Sequence, residues 1–180
     1  VEKKSNQQDT NDDVKKQMSE LDGFFDDIDS SEEVTDEISE NQPIIDTVIN
    51  IVNDLADKTG GLTAMSFLLE TLQQTEYPDM KRLELMEVLE EMKESQIIFE
   101  EIHTGGEIIY LFDDIVMDDE MQVLMKQFVL NGKVDADQLL DETEWELEKL
   151  GRVLKRFKDQ EILGITEDKA YYIPGLFNYN

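Results

Sequence analysis

The chain contains no cysteine and a single histidine, His103. Without cysteine it can form neither disulfides nor thiolate metal sites, which fits a cytoplasmic or nuclear compartment. One histidine cannot by itself build a zinc site or a Cys-His nucleophile, and no glycine-rich phosphate loop precedes a helix. We therefore predict that the protein is not an enzyme and uses no cofactor, metal ion or small-molecule substrate. We expect His103 to be an exposed residue beside a turn.

Long apolar runs are also absent. No stretch approaches the roughly 20 residues that span a bilayer, and the polar N-terminal residues lack the pattern of a signal peptide. We therefore expect no membrane insertion and a cytoplasmic protein, or a nuclear one in a eukaryote.

Basic residues are scarce, because 16 Lys and Arg stand against 44 Asp and Glu and give a net charge of −28. Such a field repels nucleic-acid phosphates at long range and favours protein partners. Adaptation to high salt is an alternative origin of this composition.

The acidic residues are distributed unevenly. Residues 1–41 carry 14 acidic and 4 basic residues with few apolar ones, and we predict a disordered acidic tail there, since so little apolar surface cannot offset the entropy of ordering. Residues 118–180 carry 14 acidic and 8 basic residues. The basic residues are therefore concentrated in the last third of the chain.

One apolar cluster interrupts the tail, and its members are Met18, Leu21, Phe24 and Phe25. Aromatic residues in a disordered acidic segment are typical of a linear motif that folds on its partner. The spacing resembles the box that binds sliding clamps, with Met18 where glutamine is usual. The alternatives are an acidic–aromatic motif for another apolar groove, a contact with the protein's own surface, or no role.

Apolar residues at spacings of three and four predict three helices after Pro43, which suits a first helical turn. The first helix is predicted to end at Gly60–Gly61, and Thr63 resembles the N-cap of the second. The apolar stripe of the third comprises Leu85, Met86, Leu89 and Met92. Two β-branched runs around Gly105–Gly106 then predict a hairpin.

The same order returns in the last third of the chain. A first helical stripe ends at Asn131–Gly132, and a short second helix is predicted from Asp135 to Asp141. A third helix is predicted from Trp145 to Glu161, with Leu147, Leu150, Val153, Leu154 and Phe157 facing the core. A final hairpin is predicted over residues 162–173. The fold class is therefore mainly α with small β-hairpins, an α+β arrangement.

Helix, helix, helix, hairpin is the element order of the winged-helix family, which the chain resembles over about residues 43–175. The resemblance implies two tandem winged-helix domains, residues 42–115 and 116–180, after the disordered tail of residues 1–41. Acidic, cysteine-free tandem winged helices are similar to accessory subunits of condensin complexes and to winged-helix subunits of endosomal sorting complexes. Subunits of general transcription factors form a third similar group. These resemblances imply a subunit of a larger complex, such as a chromosome or transcription complex.

Five basic residues lie close together in the third helix of the second unit: Lys149, Arg152, Lys155, Arg156 and Lys158. The resemblance makes them the best candidates for DNA contacts, since this helix enters the major groove in DNA-binding winged helices. Helical geometry places Lys149, Arg152 and Arg156 on one face. The alternative is a face that docks on an acidic partner or pairs with nearby acids, such as Glu146, Glu148 and Asp159. The corresponding helix of the first unit is rich in glutamate, which argues against a nucleic-acid face.

Two acidic runs, residues 113–114 and 118–120, lack the alternating acids and central glycine of a calcium-binding loop. We interpret them as a solvated linker and the start of a helix, where acidic side chains complement the helix dipole.

The leading hypothesis from the sequence is a scaffold or adaptor subunit that binds protein partners through winged-helix surfaces and the tail motif. The alternative is a DNA-binding regulator of transcription or replication that uses the basic third helix. A DNA-mimicking inhibitor is a third hypothesis, but it requires an evenly acidic surface, which the basic helix contradicts.

Overall fold

The computed structural model describes residues 39–177. The elements of this range are α1 (Gln42–Thr59), β1 (Leu62–Ala64), α2 (Met65–Gln73), α3 (Arg82–Glu94), β2 (Glu100–Thr104), β3 (Glu107–Leu111), α4 (Asp119–Asn131), α5 (Ala136–Thr143), α6 (Leu147–Asp159), β4 (Gly164–Ile165) and β5 (Tyr171–Tyr172). The mainly helical α+β class is confirmed. The tail motif of Met18, Leu21, Phe24 and Phe25 lies outside the described residues.

Helix α1 follows the predicted pattern from its first turn to its end. Pro43 stands in that first turn, where its missing N–H costs no hydrogen bond. Ile45, Val48 and Val52 are buried along one face. Gly60 ends the helix with a φ of 60°, and its N–H donates to the Ala56 carbonyl at 2.8 Å. Glycine suits this position because left-handed backbone costs it no steric strain.

The first sheet is antiparallel and has the strand order β1-β3-β2. Strands β2 and β3 form the predicted hairpin, with the turn at Gly105–Gly106. Strand β1 pairs with β3 in the register Leu62 opposite Leu111.

The prediction that Thr63 caps α2 is wrong, because Thr63 belongs to β1 and is fully buried. Ala64 takes the cap position, and its N–H donates to the Gly175 carbonyl at 2.8 Å.

Successive residues of β3 face two different hydrophobic clusters, as the alternation of a strand requires. Tyr110 packs into a cluster with buried residues of α1, α2 and α3. Ile109 and Leu111 pack into a second cluster with buried residues of α4, α5 and α6. Both belong to one compact unit, Glu40–Asn180. The second cluster crosses the predicted boundary between residues 115 and 116, and that boundary stays a prediction.

Two residues expected to face the core do not. Met86 on α3 is 38% exposed, and Val88 takes the buried position beside Leu85 and Leu89. Leu147 is 69% exposed because it is the first residue of α6, one turn before the buried stripe begins at Leu150. The final hairpin is also shorter than predicted, since β4 and β5 have two residues each.

Candidate functional site

Helix α6 presents the predicted basic residues on a rigid base. Its buried stripe comprises Leu150, Val153, Leu154 and Phe157. The Phe157 ring meets Phe128 of α4 edge to face, with ring centroids 5.9 Å apart and planes at 75°. Aromatic pairs of this geometry stabilise a core beyond their buried area. The stripe fixes which face of α6 is turned away from the core, and the basic side chains lie there.

Two of the five basic residues are held by acidic residues at the start of α4. The Arg156 guanidinium donates hydrogen bonds to the carboxylates of Asp118 and Glu120. The Lys149 Nζ lies 3.2 Å from a Glu120 oxygen. We call these four residues, Asp118, Glu120, Lys149 and Arg156, the charge clasp. Asp118 is also the N-cap of α4, since its carboxylate accepts from the Met121 N–H at 3.0 Å. The clasp therefore joins α6 to the start of α4.

Electrostatics within the clasp follow from these contacts. The hydrogen bond from Arg156, aided by Lys149, lowers the pKa of Glu120 below its ordinary value. The clasp side chains stay between 35% and 38% exposed, so solvent screens their attraction and limits its effect on stability. The ammonium group of Lys149 also lies 4.3 Å from the centroid of the Trp145 ring, within cation–π range. The clasp therefore cancels local positive charge more than it stabilises the fold.

The other three basic residues are exposed. Lys155 pairs with Asp159 at 2.5 Å, one helical turn later. Arg152 and Lys158 form no ion pair with any residue between 39 and 177. Arg152, Lys155 and Arg156 line one open surface depression together with Glu120 and Asp159. The structure thus gathers three of the predicted basic residues on a surface of mixed charge, and the predicted role of all five in DNA contact stays a prediction.

The predicted local partners of the basic helix are correct for one residue only. Of Glu146, Glu148 and Asp159, Asp159 alone forms an ion pair within the described range. The partners of Arg156 lie 36 and 38 residues earlier in the chain. The interpretation of residues 118–120 as a helix start is right, but two of these acids are paired and not simply solvated. Such pairing depends on tertiary packing, which no local spacing rule reports.

A second feature lies among α1, α2 and α3, where sequence reasoning assigned no site. A groove of about 520 Å³ is lined by Asn41, Ile44, Glu76, Tyr77, Pro78, Asp79, Met80, Glu84 and Glu87. Its walls are the start of α1, the turn between α2 and α3, and the first half of α3. We call it the α1–α3 groove. No local pattern in the sequence indicated it, because its three walls meet only in the folded chain.

His103 is exposed on β2, as predicted, and its ring contacts the Glu101 carboxylate. Glu101 also accepts from the Lys93 ammonium at 3.0 Å. Partial burial raises the pKa of Glu101, but the hydrogen bonds from Lys93 and His103 outweigh it and leave that pKa lowered.

Among residues 39–177, no group of three or more acidic or histidine side chains is arranged to hold a metal ion. No helix in the same range is long and apolar enough to cross a bilayer.

Comparison with known proteins rests on structure alone. Neither a protein-family model nor a curated protein sequence matches the chain. Solved structures that match include the crystal structure of the endosomal complex ESCRT-II (VPS22/VPS25/VPS36) and the structure of the ESCRT-II endosomal trafficking complex. Their TM-scores are 0.64 and 0.62, each at 15% sequence identity over 73% of this chain. The chain spans 62% of the length of each matched subunit. At this identity the likeness concerns the fold alone, and the fold of this chain is similar to that of ESCRT-II subunits, which are winged-helix proteins.

Proposed function

We propose that the chain is a non-catalytic subunit of a multiprotein complex in the cytoplasm, where it acts as a scaffold or adaptor. In this proposal the winged-helix surfaces bind protein partners, and the tail motif of Met18, Leu21, Phe24 and Phe25 provides a second contact. The likeness to ESCRT-II subunits supports a role in a complex, since the matched protein is an assembly of VPS22, VPS25 and VPS36.

The observation that carries the proposal is the charge clasp. A winged helix that reads DNA needs free cations on its third helix, because phosphate contacts supply most of the affinity. Here Arg156 and Lys149 face the carboxylates of Asp118 and Glu120. Binding DNA with these cations would require breaking ion pairs within the protein and bringing phosphates close to two carboxylates. The clasp therefore favours a protein partner over a nucleic acid.

Exposed apolar side chains give the proposal independent support. Leu83 on α3 is 73% exposed, Phe99 before β2 is 65% exposed, and Leu147 on α6 is 69% exposed. Single exposed apolar residues are common on protein surfaces. Leu83 and Leu147, however, stand on α3 and α6, the helices predicted to be third in each winged-helix domain. Protein docking would remove this apolar surface from water, which is favourable.

The DNA-binding alternative retains one observation in its favour. Arg152 and Lys158 are exposed and form no ion pair within residues 39–177. Two cations are few for a duplex, since each phosphate contact contributes modestly and salt weakens it. We therefore rank DNA binding second.

The proposal is tested by the mass of the native protein. The purified chain and the same chain in an untreated extract of its own cells should be compared by size-exclusion chromatography. We expect the purified chain, of 20.9 kDa, to elute early in the extract, together with other proteins in fixed ratio. Elution in the extract at the position of the purified chain would contradict the proposal.

A further inference from the structure

The α1–α3 groove has a fixed apolar floor. Ile44 and Tyr77 are partly buried, and Met80 is 7% exposed. The turn that carries the floor is held in place by hydrogen bonds. The Met80 N–H donates to the Tyr77 carbonyl at 3.1 Å, and the Gln73 side chain donates to the Met80 carbonyl at 2.9 Å. The groove volume of about 520 Å³ lies within the ~300–1,000 Å³ typical of ligand-binding clefts. The floor is therefore a fixed apolar surface on which apolar side chains of a ligand can pack.

The rim of the groove is acidic, with Glu76, Asp79, Glu84 and Glu87 among its lining residues and no basic residue among them. Glu84 accepts a hydrogen bond from the Lys81 N–H at 2.9 Å, so it also caps the start of α3. Glu76, Asp79 and Glu87 form no ion pair within the described part of the chain.

Arg82, the first residue of α3, pairs with a residue outside the groove lining. The guanidinium of Arg82 lies 3.8 Å from the Glu107 carboxylate at the start of β3. The groove therefore combines apolar surface with four carboxylates that form no ion pair within residues 39–177. This contrasts with the charge clasp, where Asp118 and Glu120 both face cations.

We propose that the α1–α3 groove binds a short basic amphipathic segment of a partner protein. Its apolar side chains would pack on Ile44, Tyr77 and Met80, and its Lys or Arg side chains would pair with the acidic rim. The inference rests on the proposed function, because it names the chemistry of one partner of the complex. Complementary charge around an apolar contact speeds association and selects the partner.

Other occupants fit the charge less well. Asn41 lines the groove and is preceded in the chain by the acidic tail, but residues 1–41 carry 14 acidic and 4 basic residues. A second copy carries the same net charge of −28, and its most basic helix has two cations held in the charge clasp. Phosphates of a nucleic acid would be repelled by the acidic rim. A basic segment from another protein is the occupant that the rim attracts.

The test is an NMR titration of the full chain, labelled with ¹⁵N, with three synthetic peptides. The first is an amphipathic peptide of about 14 residues, with leucines at helical spacing and arginines elsewhere. The second has the same composition in scrambled order, and the third carries glutamate in place of arginine. We expect the first peptide to shift amide signals around the groove, the second to bind at least several-fold more weakly, and the third not to bind.

Two charge-matched variants separate the groove from the general acidity of the chain. Glu76→Lys with Glu87→Lys reverses two rim charges, and Asp141→Lys with Glu142→Lys makes the same change on α5. All four residues are exposed, so both variants should fold. We expect the rim variant to bind the first peptide about tenfold more weakly than the parent. The α5 variant should stay within about twofold of the parent.

Equal loss in both variants, signal changes away from the groove, or no binding by the first peptide would each overturn the inference. Failure of this inference and failure of the proposed function remain distinguishable. If the groove binds no peptide but the native chain still elutes in a complex, only the groove assignment is lost. If the native chain elutes alone, the proposed function fails whatever the peptides do.

Discussion

The charge clasp and the α1–α3 groove show two uses of acidic residues in one chain. In the clasp, Asp118 and Glu120 at the start of α4 contact Lys149 and Arg156, which lie on α6, a helix that is distant in sequence. In the groove, Glu76 and Asp79 face solvent beside apolar surface. The net charge of −28 belongs to the whole chain and does not explain why the acidic residues of the two regions differ. What separates them is whether folding brings a cation to the carboxylate. The paired acids cancel a basic face, and the unpaired acids leave an attractive surface.

The largest expected effect comes from truncating a buried side chain of α6, the helix that carries Lys149 and Arg156. Phe157→Ala should destabilise the fold by about 3–5 kcal/mol, because it opens a cavity and removes the edge-to-face contact with Phe128. Leu147→Ala on the same helix is the control, since Leu147 is exposed, and its cost should stay within about 0.5 kcal/mol. Chemical denaturation measures both values. Similar losses for the two variants would mean that α6 is not packed as described.

A second prediction concerns how burial and nearby acidic residues act on the pKa of Tyr110. Burial, together with the charges of Glu101 and Glu90, raises the pKa of Tyr110 from 10.0 to about 12. The raised pKa contributes stability that is complete below pH 10 and is lost as the pH rises toward 12. Absorbance titration of the tyrosines should show a late component that Tyr110→Phe removes. An unchanged titration curve in that variant would contradict the assignment.

A smaller effect is expected when the clasp is opened. Arg156→Gln leaves Asp118 and Glu120 without their shared cation and should lower Tm by on the order of 2 °C at low salt. High salt should shrink the difference, because the clasp side chains are partly exposed. Arg152→Gln is the matched control and should change Tm little, since Arg152 has no ion pair within residues 39–177. Thermal unfolding followed by circular dichroism distinguishes the two variants, and equal shifts would argue against the clasp.

The smallest effect is the pH dependence of the clasp. Because Arg156 lowers the pKa of Glu120 in the folded state, the clasp contributes stability above the ordinary glutamate pKa. That contribution is lost as the pH falls through the lowered value. The Tm difference between the parent and Arg156→Gln should therefore be present at neutral pH and vanish in acid. A difference that persists or grows in acid would contradict the sign of this shift.

Local pattern was sufficient for the helices and for the first hairpin. The apolar spacing of α1, its proline at the start and Gly60 at its end are all local signals, and the structure follows them. Strand β1 was missed because Leu-Thr-Ala is too short to show alternation. Its partner strand begins more than 40 residues later. Thr63 was accordingly misinterpreted as a helix cap, since a threonine before an apolar run resembles one.

The functional surfaces were harder to predict than the elements. Residue type alone identified the basic helix. It did not show that Arg156 is held by acids 36 and 38 positions earlier in the chain, or that Lys149 contacts Glu120. The groove combines residues from Asn41 to Glu87 on three elements. Neither arrangement has a period or motif. Both follow from tertiary packing, in which side chains distant in sequence become neighbours.

The most direct test of the central claim is binding of the full chain to a random-sequence DNA duplex at low and at physiological salt. The parent should be compared with Arg152→Glu/Lys158→Glu, which reverses the two basic residues of α6 that form no ion pair within the described residues. We predict no binding by either protein at either salt concentration, because the remaining basic residues are too few and the net charge repels phosphate. Salt-dependent binding by the parent that the variant loses would contradict the account and identify α6 as a DNA-contacting helix.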